Sequence, residues 1–267
     1  MKRGYADAPF GQVHYRELGD GPPLVLLHQA PMDSRQFDMV YEPLARRGFR
    51  AIGIDMPGYG DSDLHPHKPS VPSYAECVVP VLDHLGLDRV ALLGHHTGAL
   101  VATEAAVRWP ERLSALVING PLPLTKQEQD DWLATGHVRE LGIVPREGGT
   151  HFTQVFERRT ELSQGTVPPE RISSYVIQAF GGQAPFWHGH YAAYTYDHGA
   201  SIAKVGVPAL ILTNTGDVIY PQALLTREMR PDFAWIALEG GGIDIVDQQP
   251  EQWADAVAGW LNSLRAV

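Results

Sequence analysis

The sequence predicts an α/β fold in which helices flank a mostly parallel sheet of eight strands and a helical cap is inserted between strands. Three observations support this prediction. Short apolar runs alternate with helix patterns from residue 10 to about 120, as in parallel sheets covered by helices. Residues 121–200 lose the strand pattern and are rich in Gln, Glu, Arg and aromatic residues. Strand patterns then return before a final helix. We therefore predict a core domain of residues 1–120 and 201–267 and a cap of residues 121–200.

The predicted strands are short segments, most of them apolar throughout, as in strands buried on both faces of a sheet. Before the cap they are VHYREL, LVLLH, RAIGID, RVALLG and LSALVING (13–18, 24–28, 50–55, 89–94 and 113–120), and after it they are ALILTN and AWIALEG (209–214 and 234–240). Helices are predicted between them, the first from Ser34 to the stop at Gly48. Another is predicted to begin at Ser73, because Ser73 and Glu76 have the spacing of a capping box.

Composition narrows the classes of function. The chain has 267 residues, 44% of them hydrophobic, and a formal net charge of −10, so nucleic acid and anionic membranes are poor partners. The single cysteine, Cys77, excludes an internal disulfide framework and a cysteine-rich zinc site. No segment approaches the ~20 apolar residues that span a bilayer, and MKRGYADAPF lacks the apolar region of a signal peptide. We expect a cytoplasmic protein with a small-molecule substrate, and homodimer formation stays open.

The segment LGHHTGAL (93–100) carries the strongest local signal for a functional site. An apolar strand runs into Gly94-x-x-x-Gly98 and directly on into a helix, which is the layout of a nucleophile elbow. The central position of such an elbow usually holds Ser, Cys or Asp, and here it holds His96. Positive φ at that position costs about 1–3 kcal/mol of backbone strain, and histidine is among the non-glycine residues that tolerate it better.

Five motifs occur in a characteristic order along the chain, namely LLHQAP, DMPGYGDSD, GHHTG, TGDVIYP and GGGIDIVDQQPEQW. On these motifs the chain resembles the α/β-hydrolase superfamily over essentially its whole length. The resemblance implies that Asp217 is the acid and that the backbone N–H groups of Ala30 and Thr97 form an oxyanion hole. Asn119 stands at the alternative acid position, where a neutral side chain cannot serve. Gln29 stands where the family often has glycine.

Two departures from the family pattern bear on function. His96 replaces the nucleophile, and Ile243 falls where the family has its catalytic histidine. The last histidine in the chain is His198, so none follows Asp217. The order of serine, acid and histidine therefore cannot be built, and the usual serine-hydrolase mechanism is excluded.

The two departures together suggest a dyad. An imidazole at the elbow reaches further than a hydroxyl, and isoleucine at 243 vacates space between the elbow and Asp217. We predict that His96 and Asp217 pair directly or through one water, with the carboxylate fixing the tautomer of His96. The carboxylate would raise the pKa of His96, and the N-terminus of the following helix would lower it. Sequence alone does not decide which of these two effects on the pKa is larger.

Three functions follow from such a site. As an acid or base, His96 would move a proton while the N–H groups hold an oxyanion, as in a lyase, isomerase or cofactor-free decarboxylase. As a nucleophile, it would form an acyl-imidazole in an unusual hydrolase of an ester or C–C bond. A third alternative is an inactive module that binds a ligand or a partner. We favour proton transfer, because no second base is evident in the sequence.

No organic cofactor and no metal site are predicted, because the chain lacks a G-x-G-x-x-G fingerprint, a P-loop and a convincing set of metal ligands. The histidine- and aromatic-rich segment PFWHGHYAAYTYDHG (185–199) is expected either to pack as a cap helix or to roof an apolar pocket. The substrate would then be a small, partly apolar carbonyl compound. The residues predicted to line the pocket are Gln29, His95, Trp132, Phe152, Phe186, Trp187, Tyr191 and Ile243.

Overall fold

Eight strands form one sheet in residues 1–265, the part of the chain that this computed structural model describes. The strands are β1 (Lys2–Ala8), β2 (Gly11–Leu18), β3 (Pro23–Leu27), β4 (Arg50–Ile54), β5 (Val90–His95), β6 (Leu113–Asn119), β7 (Ala209–Asn214) and β8 (Ala234–Leu238). Their order across the sheet is β1-β2-β4-β3-β5-β6-β7-β8. The pairs β1–β2 and β2–β4 are antiparallel, and all other pairs are parallel. The predicted α/β fold class is confirmed.

Helices cover both faces of the sheet. Those between the strands of the core are α1 (Tyr41–Arg46), α2 (Val71–Ala75), α3 (Val78–His84) and α4 (Thr97–Arg108), followed near the C-terminus by α11 (Tyr220–Met229), α12 (Ile245–Gln248) and α13 (Pro250–Ser263). Among the helices of residues 1–265, none combines the length and the apolar character that crossing a bilayer requires.

Between β6 and β7 the described chain forms helices and turns without a strand. These helices are α5 (Lys126–Trp132), α6 (Val138–Leu141), α7 (Thr150–Leu162), α8 (Pro169–Gly181), α9 (His188–Tyr194) and α10 (His198–Ile202), and a π-helical turn joins α5 to α6. The segment leaves the sheet at the carboxyl end of β6, the edge at which parallel sheets place their ligands.

Alternation along the central strands divides the apolar core into two layers. Val25 and Leu27 of β3 pack on the face that α4 covers. Leu24 and Leu26 of the same strand pack on the opposite face, with Trp253 of α13. Since both faces of these strands are buried, they carry apolar side chains at every position, which is the pattern seen in the sequence.

Asn119, at the alternative acid position, has a structural role. Its side-chain N–H donates to Leu212 O at 3.2 Å, and its Oδ1 accepts from the indole N–H of Trp253 at 2.8 Å. Its carbonyl accepts from His96 N at 2.8 Å. Asn119 and Trp253 are fully buried, so this residue ties β7, α13 and the elbow to the end of β6.

Two local features differ from the sequence-based expectation. The strand that completes the sheet of eight is β1 at the N-terminus, which sequence patterning did not locate. The predicted capping box at Ser73 and Glu76 is wrong, because Ser70 caps α2 and shares the box with Ser73. Pro72 explains the earlier start, since proline is well tolerated in the first turn of a helix, where its missing N–H is not needed.

Replacing Trp253 with Phe tests the contact to Asn119. The substitution leaves the buried Asn119 Oδ1 without a donor, which costs about 1–3 kcal/mol of the free energy of unfolding. The measurement is urea denaturation of Trp253→Phe beside Trp260→Phe, whose partly buried indole donates no hydrogen bond to a described residue. Equal losses in the two variants would show that the hydrogen bond contributes nothing.

Candidate active site

His96 occupies a sharp turn between β5 and α4, with φ 49° and ψ −114°. The turn is possible because two neighbours are glycine. A Cβ on Gly94 would lie 1.9 Å from Gly98 O, and a Cβ on Gly98 would lie 2.1 Å from Leu27 O. The strand, the turn and the helix therefore approach each other more closely than any side chain at those two positions allows, and His96 is presented at the carboxyl end of β5.

The structure brings His96 and Asp217 into direct contact. Asp217 follows β7, and its Oδ2 lies 2.7 Å from His96 Nε2. Burial acts to raise the pKa of Asp217, but His96 and the N–H of Ile219, which donates to Oδ1 at 3.1 Å, hold that pKa below its usual value. An ionised carboxylate only accepts hydrogen bonds, so Nε2 carries the proton. In neutral His96 the free lone pair is then on Nδ1.

Gly120, just beyond β6, makes room for the imidazole. It has φ +75°, and a Cβ there would lie 2.6 Å from Cδ2 and 2.9 Å from Nε2 of His96. The ring thus passes over the end of β6 on its way from β5 to the turn after β7. A glycine is required at position 120 both for the backbone conformation and for the path of the side chain.

His95 lies beneath His96 and does not line the cavity, so its prediction as a pocket residue is wrong. The two rings stack with centroids 4.7 Å apart. His95 is fully buried and donates from Nε2 to Ile243 O at 3.0 Å, while Nδ1 has no partner among the described residues. Burial, with the adjacent His96, lowers the pKa of His95 to about 3. His95 is therefore neutral. Because side chains alternate along a strand, it lies below the end of β5, where its ring supports the ring of His96.

Ala30 and Thr97 both line the cavity, and the backbone N–H of neither residue donates to a described residue. The loop that carries Ala30 is held by His28, which donates from Nδ1 to Gln29 O at 2.9 Å and accepts from Met56 N at 2.9 Å. Gln29 N donates to Gln36 Oε1 at 2.8 Å. With the peptide groups of Gln29 fixed in this way, the two free N–H groups next to His96 are suited to bind an oxyanion.

A cavity of about 640 Å³ lies between the carboxyl end of the sheet and the helical segment after β6. His96 and Thr97 line its floor. Of the residues predicted to line it, the structure places four on its wall, namely Gln29, Trp132, Phe186 and Ile243.

Three aromatic residues predicted for the pocket lie elsewhere, and that prediction is wrong for them. Phe152 is 46% exposed and packs against Phe180 on the outer surface. Trp187 and Tyr191 pack edge-on against each other, and both contact the ring of His137. Phe152 is on α7, Tyr191 is on α9 and Trp187 is the residue before α9. Side chains on and beside a helix point in several directions, so the composition of an aromatic segment does not identify its cavity face.

Charged cap residues on the cavity wall were missed by sequence reasoning. They include Arg139, Glu140, Arg159 and His190. His190 Nδ1 lies 2.7 Å from Glu140 Oε1. The two residues are 50 positions apart on different helices, and no local spacing in the sequence indicates the pair.

Buried ion pairs connect the cap to the segment that carries Ile243. Arg159 of α7 pairs with Asp244, and Arg171 of α8 contacts Asp247 at 2.6 Å. Tyr175 lies between them, with the guanidinium carbons 4.7 Å and 5.1 Å from its ring centroid. Burial raises the pKa of both aspartates against the opposing effect of the arginines. These contacts fix the position of Ile243 on the cavity wall.

The mostly parallel sheet of eight strands flanked by helices is that of the α/β-hydrolase fold, and comparisons with known proteins agree. A sequence model of the α/β hydrolase fold matches residues 22–140. Bromoperoxidase from Bacillus anthracis has a similar structure, with a TM-score of 0.84 at 18% identity over 98% of this chain and 100% of that chain. These matches support the α/β-hydrolase fold.

Two curated relatives are informative. The chain is 26% identical to the (E)-2-((N-methylformamido)methylene)succinate hydrolase of Acinetobacter baylyi over 94% of both chains. It is 33% identical over 125 residues to bifunctional epoxide hydrolase 2 of Mus musculus, which is 45% of this chain. The match spans only 23% of the length of the mouse protein.

Replacing Gly120 with Ala tests how the imidazole is positioned. The new Cβ would overlap the ring and push Nε2 away from Asp217. Gly148→Ala is the matched control, because Gly148 has the same φ of +75° and nothing within 4 Å of the added Cβ. We expect both variants to lose about 1–2 kcal/mol from backbone strain, and only Gly120→Ala to lose the Nε2–H tautomer of His96 in ¹⁵N NMR. An unchanged His96 signal in Gly120→Ala would refute this account.

Proposed function

We propose that this protein is an enzyme that uses a His96/Asp217 dyad and a backbone oxyanion hole for cofactor-free acid/base chemistry on a small, partly apolar carbonyl substrate. The reaction class is that of a lyase, isomerase or decarboxylase. One observation carries the proposal: the 2.7 Å contact of His96 Nε2 with Asp217 leaves Nδ1 as the basic nitrogen of a residue that lines the cavity.

The proposed chemistry begins with proton abstraction. Nδ1 of His96 takes a proton from the carbon next to the substrate carbonyl, and Asp217 stabilises the imidazolium that results. The negative charge that develops on the carbonyl oxygen is stabilised by the N–H groups of Ala30 and Thr97, which need no reorganisation because they have no other acceptor. Returning the proton to the same or another atom completes an exchange or an isomerisation.

A second candidate is hydrolysis with His96 as the nucleophile. It is favoured by one finding, namely that a relative matched over 94% of both chains is named a hydrolase. An acyl group on His96 would require a base to activate water. His95 cannot serve because burial keeps it out of the cavity and lowers its pKa to about 3, so this route would depend on His190 on the cavity wall. A third candidate, ligand binding without turnover, is separated from both by experiment.

Hydrogen–deuterium exchange tests the proposed function. Cyclic and aromatic ketones and esters are incubated with the protein in D2O, and mass spectrometry follows deuterium at the α-carbon. We expect wild-type exchange to fall about 100- to 10,000-fold in His96→Ala, while a control at the exposed His84, His84→Ala, keeps it. Exchange that survives in His96→Ala would refute the dyad, and tight binding without exchange or hydrolysis would support the binding module.

Restoring a serine and a histidine at their family positions tests whether the oxyanion donors are competent. We expect the double variant His96→Ser with Ile243→His to hydrolyse p-nitrophenyl acetate at least about 100-fold faster than His96→Ser alone, because a histidine base contributes about that factor. Absence of any gain would show that the loop around Gln29 no longer supports acyl transfer.

A further inference from the structure

A second imidazole–carboxylate pair faces the same cavity from the cap. His190 of α9 and Glu140 of α6 both line the cavity that has His96 on its floor. His190 Nδ1 and Glu140 Oε1 are at ion-pair distance, 2.7 Å, without the alignment of a hydrogen bond. Glu140 is 9% exposed, and its Oε2 has no partner among the described residues. Within residues 1–265, His190 is therefore the only group at ion-pair distance from this buried carboxylate.

Charged groups from two other cap helices face His190. Glu140 and Arg139 belong to α6 and Arg159 belongs to α7, while Tyr194 stacks on the ring from one turn along α9 with centroids 5.8 Å apart. Burial and the two arginines act to lower the pKa of His190, but Glu140 outweighs them and the pKa is raised. Nδ1 of His190 is paired with Glu140 as an ion pair, so Nε2, which makes no hydrogen bond within residues 1–265, is the nitrogen available to a ligand.

The backbone beside His190 contacts the loop that carries Ala30. A Cβ on Gly189 would lie 2.1 Å from the Cβ of Ala30 and 2.5 Å from Tyr59 Oη. This close approach places the start of α9 against the residue whose N–H is an oxyanion donor. A substrate whose carbonyl oxygen is bound there has His96 on the floor of the cavity and His190 on the cap side.

We propose that His190, oriented by Glu140, is a second proton-transfer residue of this cavity, and that the substrate carries a hydroxyl or alkoxy group on the carbon β to its carbonyl. The inference rests on the proposed function of His96. It narrows the reaction to β-elimination of water or an alcohol, with the addition of either as the reverse reaction.

The step balances without a co-reactant. Nδ1 of His96 takes the proton from the α-carbon, and the electrons of that C–H bond form the enolate. These electrons then form the C=C bond while the bond between the β-carbon and oxygen breaks. His190 donates its Nε2 proton to the departing oxygen, which leaves as water or an alcohol. His96 has gained one proton and His190 has lost one, and exchange with solvent restores both.

The test separates the two proton transfers in one experiment. The probes are the aldol of acetone and benzaldehyde and its methyl ether, in D2O. Mass spectrometry follows α-deuteration, and ultraviolet absorbance follows the conjugated enone. In His190→Gln we expect elimination to fall about 100- to 10,000-fold while α-deuteration persists. His188→Gln is the matched control on the same helix, because His188 is outside the cavity lining, and it should keep both rates.

The outcomes are distinguishable. If wild-type protein does not deuterate either probe, the proposed function of His96 is refuted, and this inference with it. If deuteration depends on His96 but elimination is absent, or is unchanged in His190→Gln, only the role of His190 is refuted.

Glu140 is a positioning residue, and its test is a pH profile. His190 must be protonated to act as an acid, so elimination falls as the pH rises through its pKa. Glu140→Gln removes the attraction that raises this pKa, and the fall should move to lower pH while the profile of α-deuteration is unchanged. An unshifted profile in Glu140→Gln would overturn the positioning role.

Discussion

The contact between His96 and Asp217 is the constraint on which the rest of the site depends. The two residues follow strands that are not neighbours, because β6 lies between β5 and β7. A side chain from the elbow must therefore cross the end of β6 to reach the acid, and an imidazole is long enough to do so. The residues around it conform to that crossing: Gly120 leaves the space, His95 supports the ring from below, and Asn119 accepts from the elbow N–H.

Isoleucine at 243 is compatible with the contact between His96 and Asp217. A histidine there would compete for Asp217, whereas the isoleucine side chain contributes an apolar wall. The backbone carbonyl of residue 243, which any residue would supply, accepts from His95. The segment that carries Ile243 is held by Asp244 and Asp247, each paired with an arginine of the cap. The helical segment between β6 and β7 is thus joined by buried charges to the chain that carries Ile243. Breaking such a pair by removing one partner costs about 3–5 kcal/mol.

Sequence patterning predicted what depends on local periodicity and missed what depends on distant neighbours. Apolar runs located seven of the strands, and the glycines around His96 predicted the elbow, because both signals are contained within a few residues. The N-terminal strand KRGYADA has one buried residue on an exposed edge, so its composition resembles a loop. The pairs Glu140–His190 and Arg159–Asp244 join residues 50 and 85 positions apart, and only packing reveals them.

Gly120 also limits the order in which substitutions at this site can accumulate. A serine at position 96 would not reach the space above position 120, so with a short side chain at the elbow only the backbone conformation of residue 120, φ +75°, favours glycine there. A histidine at 96 does not, because any Cβ at 120 occupies the volume of its ring. A larger residue at 120 and a histidine at 96 are therefore sterically incompatible, so glycine at 120 must be in place before a histidine at 96 can reach Asp217.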